Sequence, residues 1–322
     1  MTTARTIGVA LVAIALASPA LAQNKPPPPQ PAPNAAPAAD PNADIMYGDF
    51  QRGQYLTAFN EATKRAQQND AKAMTLLGEL YAQGLGVGRD DGKAAQWYKQ
   101  AAAQNDRDAI FALAMFSFEG RAGQSNREEG ARLLDSAAKL GHAVAAYDLG
   151  LLYLQGQQFP QDFRRAAELF LQAAEAGNPE AQYALATLYK EGHGVSQDKT
   201  KAMQLMGLAS IAGNLDSMVE YAIAQFNGDG VAKDEAAAAR LFLIAARRGS
   251  PIAQNRLARI LMAGRGMQVN PAEAVRWHLI AKASGAGDPD LDVFASKQSS
   301  AVQTAAKTAA NKWLSTQAAL QP

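Results

Sequence analysis

Ala181-Gln182-Tyr183-Ala184-Leu185-Ala186-Thr187-Leu188-Tyr189, followed by Glu191-Gly192-His193-Gly194-Val195 and Asp198, is the stretch on which the fold turns. It reads as a helical run that stops at a glycine, makes a short turn and restarts behind a short acceptor. A helix commonly stops at a residue with positive φ, which glycine adopts at little cost. An aspartate just before a helix accepts hydrogen bonds from its free N–H groups. The same order returns every 36 residues. Counted from Ala71, the chain divides without insertion or deletion into 71–106, 107–142, 143–178, 179–214, 215–250 and 251–286.

Each aligned column has a mechanical meaning. Gly84, Gly120, Gly156, Gly192, Gly228 and Gly264 end the first helix of each unit. Asp90, Asn126, Asp162, Asp198, Asp234 and Asn270 are suited to cap the second. Glu129 and Glu273 complete capping boxes with Asn126 and Asn270, and Pro271 stands at a first helical position. Asn105, Gly141, Gly177, Gly213, Gly249 and Gly285 end the second helix; Asp70, Asp106, Asn178, Asn214 and Ser250 then cap the next first helix. Three columns are expected in the core: Leu77, Leu113, Leu149, Leu185, Tyr221 and Leu257 on the first helix; Ala101, Ala137, Ala173, Ala209, Ala245 and Ala281 on the second; and Trp97, Leu133, Leu169, Leu205, Leu241 and Trp277 beside them. One such hairpin cannot bury its own apolar face, whereas stacked neighbours can. The expected fold is therefore all-α: a right-handed α-solenoid of six 36-residue helix-turn-helix repeats with N- and C-terminal capping helices.

These columns, with Ala173-Ala174-Glu175-Ala176-Gly177 closing the unit, resemble the Sel1-like repeat, a relative of the tetratricopeptide repeat, over 216 of 322 residues. Repeat 2 departs most, with Arg121-Ala122-Gly123 in place of the usual turn and Ser117 in place of tyrosine. The resemblance implies a protein that binds other proteins, of the exported kind that scaffolds envelope complexes or restrains a sensor's outer domain.

Outside the repeats, residues 1–22 read as a signal peptide: Arg5, an apolar run from Ile7 to Ala17, Pro19, then Ala20-Leu21-Ala22 before Gln23. The run is short for a membrane span of about 20 residues, so no stable membrane insertion is expected after cleavage, and the mature chain is expected in the periplasm. Residues 23–43 hold eight prolines and read as a Pro/Ala-rich tether. Residues 44–70 read as a degenerate capping unit with Tyr55, Leu56 and Phe59 on one helix face. Residues 287–322 read as a C-terminal cap, with a helix from near Ser300 to Ala319 turning Val302, Ala306, Ala309 and Trp313 inward.

Composition narrows the chemistry. Hydrophobic residues make up 48% but aromatics only 7%, as suits closely packed Ala-rich helices. Once Arg5 leaves with the leader, 30 basic face 30 acidic residues, so the basic excess of a nucleic-acid binder is missing. The absence of cysteine removes disulfides, thiolate metal sites, a cysteine nucleophile and a lipid anchor on a leading cysteine. His142, His193 and His278 are scattered without metal spacing, and Gly84-x-Gly86, Gly228-x-Gly230 and Gly264-x-Gly266 join helices as turns, not as phosphate loops. No cofactor is expected.

Ser-x-x-Lys occurs at Ser136–Lys139 and Ser196–Lys199. Some cysteine-rich relatives of the repeat have been linked to β-lactam binding, which keeps a serine-type β-lactam-interacting enzyme as one alternative. Neither Ser-Asp-Asn nor Lys-Thr-Gly accompanies the motif, and no catalytic residue is assigned. A structural, peptidoglycan-associated component is the other alternative.

The favoured function places a protein partner in the concave surface lined by the first helices. The columns of residues 75, 79 and 82 lie about 140–200° from Leu77 by the helical period. They give an apolar stripe: Phe111, Met115 and Phe118; Tyr147, Leu151 and Leu154; Tyr183; Val219, Ile223 and Phe226. Either a partner covers this stripe or adjacent first helices do so themselves.

Overall fold

The computed structural model describes residues 45–320 apart from Ala122; these form sixteen α-helices and, among the described residues, no strand. The leader and tether expected at 1–22 and 23–43 lie outside the described residues. A leading hairpin, α1 (Ile45–Gln51) and α2 (Tyr55–Gln67), is followed by six more. They pair α3 (Ala71–Gln83) with α4 (Asp91–Ala102), α5 (Arg107–Glu119) with α6 (Arg127–Lys139), and α7 (Ala143–Gln155) with α8 (Phe163–Glu175). Next come α9 (Pro179–Glu191) with α10 (Lys199–Ile211), α11 (Leu215–Asn227) with α12 (Glu235–Arg247), and α13 (Pro251–Ala263) with α14 (Pro271–Ala283). Two further helices, α15 (Pro289–Ser296) and α16 (Ser300–Leu320), close the array. From α1 to α14 each helix packs on the one before and the one after it, as in an α-solenoid, and α16 packs back on α14.

The caps act where the sequence puts them. The six glycines that end the first helices have φ between 69° and 81°. The terminators of the second helices are all at positive φ too, including Asn105 at 61°. Asn69, at 65°, keeps the terminator of the degenerate leading unit, whose second helix stays in phase while its first is cut to seven residues. One cap is unexpected. His142 occupies the column of Asp106 and Asn178, and its Nδ1 accepts the Ala145 N–H at 3.0 Å.

Packing follows the columns with two corrections. All six alanines from Ala101 to Ala281 are fully buried. The side chains that fill the space between helices, however, are Tyr98, Leu134, Phe170, Met206, Phe242 and His278, all buried. The adjacent column expected there is less enclosed: Trp97, Leu133, Leu205 and Leu241 are half-buried, and only Leu169 and Trp277 are buried. The deep column varies because each member fits its own counterpart. The Tyr98 ring lies on Gly78, and the Phe170 ring on Gly150, where an added Cβ would come within 2.4 and 2.6 Å of ring carbons. On the first helices Leu77, Leu149, Leu185 and Leu257 are buried, while Leu113 and Tyr221 are half-buried.

Neighbouring hairpins are pinned by their loops. Gly86, Gly194, Gly230 and Gly266 each rest on the first turn of the preceding second helix, at Tyr55, Phe163, Lys199 and Glu235, closely enough that a Cβ would meet backbone atoms. Beside them run Asp229–Lys199, Arg265–Glu235 and the His193–Phe163 ring contact. Repeat 2 has no glycine at the corresponding place, and there Arg121 reaches Asp91 at 2.6 Å and the Ala82 carbonyl at 2.7 Å. At the far end, α16 buries Ala306 and Ala310 and half-buries Val302, Ala309 and Trp313, with Trp313 edge-on to Trp277. His278 Nε2 lies 2.8 Å from Asp292 Oδ1, tying α15 to the last repeat.

Candidate partner-binding face

Of the ten stripe residues, eight are half-buried: Phe111, Met115, Phe118, Tyr147, Leu154, Tyr183, Ile223 and Phe226. Leu151 and Val219 are each only 5% exposed and belong to the core, which corrects their placement in the groove. The physical reason is the seam on which these columns lie. Successive first helices approach there, and the flanking hairpins close over some of the side chains.

The half-buried members are engaged in different ways. Phe111 stacks on the His142 ring, with centroids 4.3 Å apart and planes 20° from parallel. The Phe118 ring lies over Gly130 on its own second helix. Tyr147 tilts against Phe170, and burial pushes its hydroxyl up to about 12. The Arg265 guanidinium sits 4.4 Å from the Phe226 ring centroid. Tyr183 Oη donates to Glu220 Oε1 at 2.8 Å, and Lys190 Nζ pairs with Oε2 at 2.6 Å. Burial, then the Glu220 charge, raises the Tyr183 hydroxyl.

Glu220 belongs to a column that pattern reading passed over: Leu76, Ala112, Asp148, Ala184, Glu220 and Arg256. It lies one residue beyond the Phe111 column, on the same seam, and holds an acid in repeats 3 and 5 and a base in repeat 6. Asp148 has no hydrogen-bond or ion-pair partner among the described residues, and burial alone pushes its carboxyl up to about 7. Exposed Arg256 lines a cavity of about 360 Å³ floored by Ile223, Phe226 and Phe242, with Arg259 and Arg265 also at its edge. Arg259 is paired with Asp288 and Arg265 with Glu235, whereas Arg256 has no such partner among the described residues. The signal that could have found this column is a charged residue recurring among Ala and Leu at a fixed repeat position.

The other candidates are structural. Ser136 Oγ donates to the Arg132 carbonyl; Lys139 pairs with Asp135 and Lys199 with Asp229. His142 is a cap, His193 packs on Phe163, and His278 is a core residue paired with Asp292. Among the described residues no group of three His, Cys, Asp or Glu could hold a metal ion, and no helix is long and apolar enough to cross a membrane.

A family model described as Sel1 repeat matches residues 71–106, 107–142, 143–178, 179–214, 215–250 and 251–285. Among solved structures, a Sel1 repeat protein from Oxalobacter formigenes is similar at 26% identity and a TM-score of 0.61, over 76% of this chain and 97% of that one. The c5321 protein, a protective antigen of uropathogenic Escherichia coli with the same repeat fold, is similar at 24% identity and a TM-score of 0.56. That likeness covers 81% of this chain and 64% of that one, and speaks for the fold alone. No curated protein matches the chain.

Proposed function

This chain belongs to the Sel1 repeat family, and from that premise we propose that it is a protein-interaction scaffold that holds a partner protein along the seam of its first helices. Proteins built from such repeats generally work as interaction scaffolds, presenting one long face assembled from many units. The observation that carries the reading is the mixed character of this seam. Half-buried aromatic and aliphatic side chains alternate with charges that the fold leaves unpaired, as at Asp148 and Arg256. Apolar area with placed polar groups is the ordinary make-up of a binding surface.

A holding role is favoured over catalysis because both Ser-x-x-Lys lysines pair with surface carboxylates, Lys139 with Asp135 and Lys199 with Asp229, as residues of a structural surface do. The apolar run and small-residue site at residues 1–22 support export, and the periplasm is the proposed location.

Photocrosslinking in living cells tests this. A photoreactive residue at Met115 or Arg256 should give discrete adducts with one partner. The same residue at Gln100 or Lys139, on second helices, should not. Adducts confined to the second-helix positions would overturn the assignment of the face.

A further inference from the structure

Successive first helices meet in a fixed register, and the junction of α9 with α11 shows what that register does for an acid. Glu220 takes its two partners, Tyr183 and Lys190, from positions 37 and 30 residues earlier. The same intervals counted back from Asp148 lead to Phe111 and Phe118 on α5. Neither ring offers an N–H or O–H group, and both rest elsewhere, on His142 and on Gly130. Asp148 is therefore a half-buried carboxylate whose two register partners have been replaced by hydrocarbon. Such a group is costly to leave unmade.

The fold does not require an acid there. Equivalent positions hold Leu76, Ala112 and Ala184, so a plain apolar residue suits the seam. What the acid lacks is a cation. We propose that the bound partner supplies it: a lysine or arginine side chain, set among apolar residues, enters between α5 and α7 and pairs with Asp148. Its methylene stem is covered by the apolar side chains of Phe111, Met115 and Phe118, and its charged head replaces the pairing that Lys190 gives Glu220. Three repeats on, the same column ends in unpaired Arg256, so a segment laid along the seam meets an acid at repeat 3 and a base at repeat 6. This assignment rests on the scaffold reading above and gives that partner its chemistry.

The test uses n-butylguanidinium as probe, with n-butyrate as the charge control, titrated into the full chain carrying ¹³C-labelled aspartate. The Asp148 carboxyl resonance should show a saturable shift with the cation and none with the anion. Asp148→Asn and Asp148→Leu should keep the helical circular dichroism and weaken cation binding about tenfold or more, as expected for a charge-assisted contact. Absence of a saturable shift, or cation binding by the variants as tight as by the unaltered chain, would overturn the proposal. So would movement of the Asp148 resonance on Lys25→Gln, which removes the one basic residue of the Pro/Ala-rich stretch 23–43, because the chain itself would then supply the cation. Crosslinking separates the two readings. Adducts at Met115 and Arg256 that persist undiminished in Asp148→Asn would remove the cation and leave the scaffold; adducts missing from the unaltered chain would remove the scaffold.

Discussion

Repeats 2 and 3 follow one another at the same 36-residue interval as repeats 4 and 5, yet one junction is chemically closed and the other open. At the closed one, Glu220 is bracketed by a phenol and an ammonium from α9. At the open one, Asp148 faces two phenylalanine positions and is pushed up to about 7. The solenoid backbone tolerates both because each junction answers only to its nearest neighbours. A period fixed by Ala, Gly and cap residues thus leaves seam chemistry free to differ from one repeat to the next, and binding specificity can be written there without disturbing the stack.

The largest effect should come from closing the open junction by removing its charge. Because folding raises the Asp148 carboxyl from about 3.8 to about 7, the folded chain holds a proton that the unfolded chain has released between those values. Stability should therefore fall as pH rises through that window. Asp148→Asn should stabilise the protein at pH 8 by up to roughly 4 kcal/mol, at about 1.4 kcal/mol per pKa unit, and change little at pH 3. Denaturant melts at the two pH values check this.

The next test exchanges the deep core between the same regions. Gly150→Ala should cost about 1–3 kcal/mol because the new methyl meets the Phe170 ring. Adding Phe170→Met, which copies the Ala186 and Met206 pair of repeat 4, should recover most of that loss in thermal unfolding. Opening the closed junction with Tyr183→Phe and Lys190→Met should cost about 1–2 kcal/mol, because Glu220 would be left unpaired. The loss should vanish when Glu220→Ala, the residue of the preceding repeat, is added.

The smallest change is at the cap. His142→Asn restores the residue type of Asn178 and should shift stability at pH 8 by less than about 1 kcal/mol. Burial lowers the folded His142 pKa below that of the unfolded chain. Its contribution is therefore present above the unfolded value and lost as pH falls through the folded one. The Asn variant should lack that loss, which a melt series from pH 8 down to pH 4 would show.

The periodic scaffold was readable in advance because its columns are constrained by the backbone. Only glycine or asparagine ends a helix cheaply at positive φ, and only short acceptors cap well. His142 escaped notice because histidine is an uncommon cap. The deep core column stands one residue beyond the one that the pattern suggests, because Leu133, Leu169, Leu205 and Leu241 form the more uniform column. The buried column is varied, since Tyr98 and Phe170 are matched to Gly78 and Gly150 and other members to alanines. Leu151 and Val219 show that a helical angle states direction but not how far a neighbour covers it. Asp148 and Glu220 were missed for a related reason: their meaning lies at spacings of 30 and 37, between repeats and not within one.

The loop glycines carry a mechanical consequence. Where Gly194, Gly230 and Gly266 lie against the helix behind them, bending one hairpin on the next would compress backbone against backbone, so those joints should resist bending. Repeat 3 puts Gln158 at that place, and its neighbour Gln157 makes no ion pair to repeat 2. Elastic strain should concentrate at that joint: stretched in optical tweezers, the molecule should yield first between repeats 2 and 3, parting as two unequal, still-folded lengths with Asp148 at the break.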